Sequence, residues 1–281
     1  MKTPRKINFS NMSTHIVLIV FGILMIYPVL WMFFGSFKRT RDIFSNPSFL
    51  PTHWTLKDYI EGWSTLPNMN FGRFIGNSFL ISAFVIIGTV LSCSLVAYGF
   101  ARFEFRFKRT LFAIMLITMM LPSQVTLIPQ YTMFHMLGWI NTYYPLIVPA
   151  FFGSPFFIFL LIQFIRGLPR ELDEAAKIDG CNTFQIYYRI IMPLTVPALM
   201  TTAIFSFIWS WDDFFSQLVY LNSAKLFTAP LGLKLFMDES QAQQWGPMFA
   251  MSVISLIPLF LVFMLFQKYI VKGIATSGMK G

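Results

Sequence analysis

The stretch "NSFLISAFVIIGTVLSCSLVAYGF", Asn77–Phe100, contains no charged side chain. A helix rises 1.5 Å per residue and needs about 20 apolar residues to cross roughly 30 Å of hydrocarbon, so this run is long enough to span a bilayer. Its apolar character is broken by Ser78, Ser82, Gly88, Thr89, Ser92 and Ser94. Small residues let helix backbones approach closely where no hydrophobic force drives association, which predicts a span buried among other helices.

Five further apolar stretches accompany it, placing spans at His15–Phe37, Phe74–Phe100, Leu111–Pro129, Pro145–Ile165, Pro193–Phe215 and Pro247–Val271. Over 281 residues the chain is 56% hydrophobic and 12% charged, about half the charge of an ordinary soluble domain, so a soluble protein with buried core helices is set aside. The first run continues into "YPVLWMFFGSFK", Tyr27–Lys38, without a small-residue cleavage site, and reads as a retained span. The expected fold is an all-α membrane protein with six transmembrane helices. Residues 1–14 form an N-terminal tail, 15–271 one six-span domain and 272–281 a C-terminal tail.

Lys and Arg set the orientation. A cytoplasmic N-terminus puts Lys2, Arg5, Lys6, Arg102, Arg106, Lys108, Arg109, Arg166, Arg170, Lys177, Arg189, Lys268, Lys272 and Lys280 inside, the majority of the 21 basic residues. Both termini are then cytoplasmic. The exceptions are Lys38, Arg39 and Arg41, just outside the first span. The net charge of +9 is a topology signal and not a nucleic-acid patch. Cys93 lies in a span and Cys181 in an inner loop, so they do not pair. Neither stands at metal-ligand spacing with His15, His53 or His135, and no metal or cofactor is expected.

Several local features shape the spans. "PLIVPAFFGSPFFIFLL", Pro145–Leu161, is interrupted by Gly153-Ser154-Pro155 near mid-depth. A break there frees backbone groups that lipid cannot satisfy, so it should face protein or a wet cavity. Pro122 and Pro129, around Ser123 and Gln124, should kink the third span. The outer segment Lys38–Arg73 carries Pro47, Pro51, Pro67, Trp54 and Trp63. Its "HWTLKDYIEGW", His53–Trp63, reads as a short amphipathic helix with Thr55 as N-cap and Asp58 three residues on, either an interfacial anchor or a docking surface.

The loop 166–192 is not transmembrane. In "ELDEAAKIDG", Glu171–Gly180, Pro169 suits the first helical turn, and Glu171, Asp173 and Glu174 follow where the helix dipole favours negative charge. Asp173 and Lys177 make an i,i+4 pair, and Gly180 can take the left-handed cap. Asn182 and Gln185 form a capping box for a second short helix. Ala175 and Ala176 leave a flat, close-fitting surface, and Leu172, Ile178, Phe184, Ile186 and Tyr187 offer apolar contact. The loop is either a knob that inserts into a partner's cleft or a shield for helix ends.

"EAAKIDGCNTFQIYYRIIMP", Glu174–Pro193, resembles the EAA loop of bacterial ABC importer membrane subunits: E-A-A, three residues, G, nine residues, then I-x-L-P, with Met192 in place of Leu. "LPSQVTLIPQYTMFHMLGWINTYYPLIVP" (Leu121–Pro149), "LGLKLF" (Leu231–Phe236), "FQKYIVKGI" (Phe266–Ile274) and "SGMKG" (Ser277–Gly281) are similar to the carbohydrate branch, which includes the maltose and glycerol-phosphate permeases. The resemblance implies the type I importer permease fold and a bacterial inner-membrane location. It also implies a second homologous permease, two ATP-binding subunits inside, a solute-binding protein outside and a carbohydrate or polyol as cargo. Glu174, Ala175, Ala176 and Gly180 would form the coupling helix seated in the ATPase.

No ATP chemistry is visible in the chain. "GRFIGNS", Gly72–Ser78, lacks the spacing and the lysine of a phosphate-binding loop. Neither H-E-x-x-H, G-x-S-x-G nor a reactive Cys/His arrangement occurs, so catalytic residues are none and the chain reads as a transport subunit, not an enzyme. The alternatives are an importer for another polar solute and a membrane-embedded enzyme. "FIWSWDDFFSQLVY", Phe207–Tyr220, puts Trp209, Trp211, Asp212 and Asp213 near the outer end of the fifth span. A mid-membrane carboxylate costs about 2.5–3.5 kcal/mol, so these acids should face water, a partner or solute. With Gly153 and Ser154 they are the candidate pathway residues. An interfacial aromatic belt accounts for them equally well. Many relatives carry W-N-D-F here, and Asp212 departs from that pattern.

Overall fold

The computed structural model describes residues 9–46, 48–64, 70–237 and 244–278. Of the residues named above, Lys2, Arg5, Lys6, Pro47, Pro67 and Lys280 lie outside them. All regular structure among the described residues is helical. The principal helices are α1 (Phe9–Gly35), α2 (Lys57–Ser64), α3 (Phe71–Arg102), α4 (Lys108–Met119), α5 (Ser123–Met136), α6 (Pro155–Arg166), α7 (Glu171–Ile178), α8 (Val196–Asp212), α9 (Phe215–Tyr220) and α10 (Trp245–Gly278).

Among the described residues, four stretches are long and apolar enough to cross a membrane unaided: Thr14–Gly35, Phe71–Arg102, Tyr144–Arg166 and Trp245–Tyr269. The third and fifth expected spans are instead bent pairs, at 102° between Lys108–Met119 and Gln124–Met136 and at 76° between Thr183–Leu194 and Val196–Asp212. Up to six spans result if each bent pair crosses once. Pro122 accounts for the first bend, since it lacks an N–H and its ring clashes with the preceding turn. The second bend follows a π turn at Tyr187–Ile191, and there the buried Thr195 hydroxyl donates to the Ile191 carbonyl at 2.6 Å.

The described residues form two compact units, drawn from positions 1–70 with 233–255 and from positions 71–232 with 256–281. In the first, the edge of Trp31 meets Phe249 at 5.3 Å and Phe44 meets Trp245 at 5.3 Å. Helix α2 presents Asp58 and Gly62, one turn apart, to the first turns of α10. A side chain on Gly62 would press on Met251 and the Pro247 carbonyl, and one on Gly246 would collide with the Asp58 carboxylate. Asp58 is therefore not the acid of a capping box. Thr55 Oγ1 accepts from Lys57 N at 3.1 Å, while Asp58 accepts from Thr40 Oγ1 at 3.3 Å. Lys38, an exception to the charge asymmetry, is only 4% exposed and donates to the carbonyls of Asn46 and Ser48. Its charge serves to order the segment that follows the first helix.

In the second unit α3 is the hub, packed on α6 and α8. Its small residues make the close approaches expected of them. Ser82 Oγ donates to Ser210 Oγ at 3.2 Å and Ser92 Oγ to the Ala150 carbonyl at 2.9 Å, and a Cβ on Gly88 would lie 2.7 Å from the Phe151 ring. Phe157, Ile158, Leu161, Ile162 and Ile165 recur on one face of α6 and close the core against Cys93, Ala97 and Ala101 of α3. The break before α6 has Gly153 at φ +89°, a conformation that favours glycine. Ser154 N, freed by that break, donates to Cys93 Sγ at 3.2 Å. Cys93 is thus a cap for the interruption as well as a packing residue.

Candidate functional site

The acidic loop is held shut by local hydrogen bonds. Helix α7 starts after Pro169, two residues later than expected, with the Arg170 carbonyl accepting from Asp173 N and Glu174 N at 2.9 and 3.2 Å. Its three acids still occupy the first turn, near the positive end of the helix dipole. The helix ends in a Schellman motif: Cys181 N donates to the Ala176 carbonyl at 2.9 Å and Gly180 N to that of Lys177 at 3.1 Å. Gly180 lies at φ +80°, with nothing within 4 Å of an added Cβ, so backbone conformation and not space calls for glycine. Asn182 Oδ1 then accepts from Gln185 N at 2.8 Å and Gln185 Oε1 from Asn182 N at 2.7 Å, the capping box read from the sequence.

Asp173 does not pair with Lys177. Its Oδ2 lies 3.0 Å from Nε of Arg102, the last residue of α3, as a close ion pair without hydrogen-bond alignment, and the two side chains are only 13% and 6% exposed. The physical reason is burial. Lys177 is exposed and well solvated, whereas a buried guanidinium left alone would be an uncompensated charge.

One face of α7, with Asp173 and Ala176, is turned into the chain, while Glu174, Ala175 and Ile178 are exposed. The apolar set divides in the same way. Leu172, Ile178 and Phe184 are exposed, whereas Ile186 and Tyr187 are buried in the chain's own core and are not available to a partner.

The other candidate residues are scattered by the fold. A cavity of about 230 Å³ opens among α3, α6 and α8, lined in part by Thr89, Phe157, Ser206, Trp209, Ser210 and Asp213. Trp209 rests on Phe157 at 5.0 Å between ring centroids. Asp213 Oδ1 accepts from Ser216 N at 3.0 Å. Ser206 Oγ is buried in the lining with no hydrogen-bond partner. Such a set offers a ring face, a carboxylate and hydroxyls to one polar, ring-shaped ligand.

Trp211 is not in that lining. It is buried against Phe79 at 4.8 Å and Phe207 at 5.3 Å. Asp212 is exposed at the end of α8, and Gly153 and Ser154 lie at the break capped by Cys93. Ser206 escaped the sequence reading, where its one signal is a position three residues before Trp209, on the same helical face.

Known proteins resemble the chain over nearly its whole length. The chain is 35% identical over 281 residues to the probable ABC transporter permease protein YurM of Bacillus subtilis, covering 100% of this chain and 92% of that one. It is 35% identical over 265 residues to the trehalose/maltose transport system permease protein MalG of Thermococcus litoralis, covering 94% of each. A solved chain from a bacterial ABC transporter involved in the import of the acidic polysaccharide alginate superposes with a TM-score of 0.83 at 21% identity, over 96% of this chain and 99% of that chain, and has the same fold. The model of the binding-protein-dependent transport system inner membrane component matches residues 88–276. With its apolar spans, its braced loop and most of its length inside that match, this chain belongs to the family of inner-membrane components of binding-protein-dependent transport systems.

Proposed function

We propose that the chain is one of two related permeases that together carry a sugar or polyol across the cytoplasmic membrane. Two ATP-binding subunits engage the acidic loop inside and a solute-binding protein delivers cargo outside, with both termini cytoplasmic. The observation that carries this reading is the two-sided construction of α7. Asp173 and Ala176 fasten it to the chain, while Glu174, Ala175 and Ile178 are left exposed on a helix capped at its C-terminal end. A loop that only shielded helix ends would gain nothing from an exposed Ile178. Gly180, at positive φ, permits the chain reversal into the second short helix, which carries the exposed Phe184. ATP-driven closure of the partner subunits moves the loop as a rigid body, and the spans follow.

The sugar assignment is supported by the trehalose/maltose relative and by the cavity, where Trp209 supplies a stacking face and Asp213, Ser206 and Ser210 supply polar groups. Trp211 and Asp212 serve the pathway only indirectly, by fixing the end of α8, and Gly153 and Ser154 by shaping the break. Ala175→Trp tests the coupling assignment. The variant should insert normally and retain about tenfold less ATP-binding subunit on purification, equivalent to about 1.4 kcal/mol of lost contact. Full retention with wild-type uptake would refute the assignment.

A further inference from the structure

We infer that α3 and the acidic loop form a single lever, joined by a ladder of polar side chains at Ser94, Tyr98 and Arg102. These residues recur every four positions, so they lie along one stripe of the helix. At the first rung Ser94 Oγ and Tyr187 Oη are 2.8 Å apart, both buried. At the second, Tyr98 Oη donates to the Thr183 carbonyl at 3.4 Å, and the Tyr98 and Tyr187 rings meet at 5.3 Å. The third rung is Arg102. Both its terminal nitrogens donate to the Leu168 carbonyl at 3.2 Å while its Nε faces Asp173 at 3.0 Å.

The three rungs reach every part of the loop. Leu168 belongs to the segment leading into it, Asp173 to α7, Thr183 to the second short helix and Tyr187 to the start of the π turn. Apolar contacts slide, because their energy depends little on register. A buried guanidinium bound to a carboxylate and a carbonyl does not, since any displacement leaves desolvated charge unpaired. The ladder therefore blocks rotation of the loop against α3, and a push on α7 is delivered to α3 before any other span. Arg102, Tyr98 and Asp173 act through the loop and are positioning residues. Asp173, outside the E-A-A motif, faces the span, whereas Glu174 beside it faces outward.

This inference rests on the coupling role proposed above, and the experiment separates the two. In the complete importer reconstituted in vesicles, Asp173→Asn and Tyr98→Phe should each lower solute transported per ATP hydrolysed by about tenfold, within the range expected for altering a coupling network. Asp173→Asn keeps the side chain's shape and Tyr98→Phe removes one hydroxyl. An unchanged ratio in both assembled variants would overturn the ladder. The second measurement needs no variant in the ladder. Spin labels replace Leu95 and Glu171, both exposed. Their separation should hold constant between nucleotide-free and ATP-trapped importer, and a changed separation would overturn the lever even if the ladder variants fail to fold. If Ala175→Trp retains its ATPase, the coupling reading falls, and the label separation still decides whether α3 and the loop move as one body.

Discussion

Asp58 carries a conflict in one side chain. It is buried, its Oδ2 has no hydrogen-bond partner, and it faces the first turn of α10. Burial pushes its carboxyl above the ordinary value. The Thr40 hydrogen bond opposes that shift, the Glu61 charge adds to it and Lys57 opposes it. The unfolded group ionises near the usual value of about 3.9, and the folded one keeps its proton to higher pH. The folded state therefore bears the full cost of the buried charge at neutral pH and is relieved of it as pH falls through the raised value. Asp58→Asn should melt at a higher temperature than wild type at pH 7, and the gap should close as the pH drops toward the ordinary carboxylate range. Melting curves of the purified protein in detergent check this, and a gap that widens on acidification would reverse the sign.

Among elements, the broken helix before α6 gives a second test. Cys93→Ala removes the acceptor of Ser154 N and leaves a half-buried donor unmet, a loss of about 1 kcal/mol, whereas Cys93→Ser keeps an acceptor and should lose less. Thermal midpoints of the two variants should fall in that order. The break itself was legible in Gly153-Ser154-Pro155, because glycine and proline act through their own backbones. Its cap was not, since Cys93 lies far away in sequence and looks like any small apolar residue of a span. The loop shows the same division. Gly180, Asn182 and Gln185 act over three to five residues and were read correctly. Asp173 had a plausible local partner in Lys177, and only the folded chain brings up Arg102. The π turn at Tyr187–Ile191 left no mark in residue type at all.

On the scale of the whole protein, the family is set by the long match, while the proposed sugar site is the cavity. If a sugar ring sits against Trp209, then Trp209→Ala should raise the half-saturating solute concentration for uptake by about tenfold, close to the worth of one lost ring contact. Ser206→Val, which fills the lining and removes its unpaired hydroxyl, should act in the same direction. Uptake assays across a solute series in the reconstituted importer measure both, and unchanged saturation in both would remove the cavity from the pathway. The apolar spans were legible because apolar length reports on solvent, which acts on every residue alike. The cavity was not, because it depends on which faces of α3, α6 and α8 meet. That dependence gives the π turn a meaning of its own. A wider turn holds one more residue than an α-helical route over the same rise, and each residue rotates an α-helix by about 100°. Between Tyr187 and Ile191 a single surplus residue accordingly works as a phase offset for the short helix that enters the 76° bend ahead of Ser206 and Trp209.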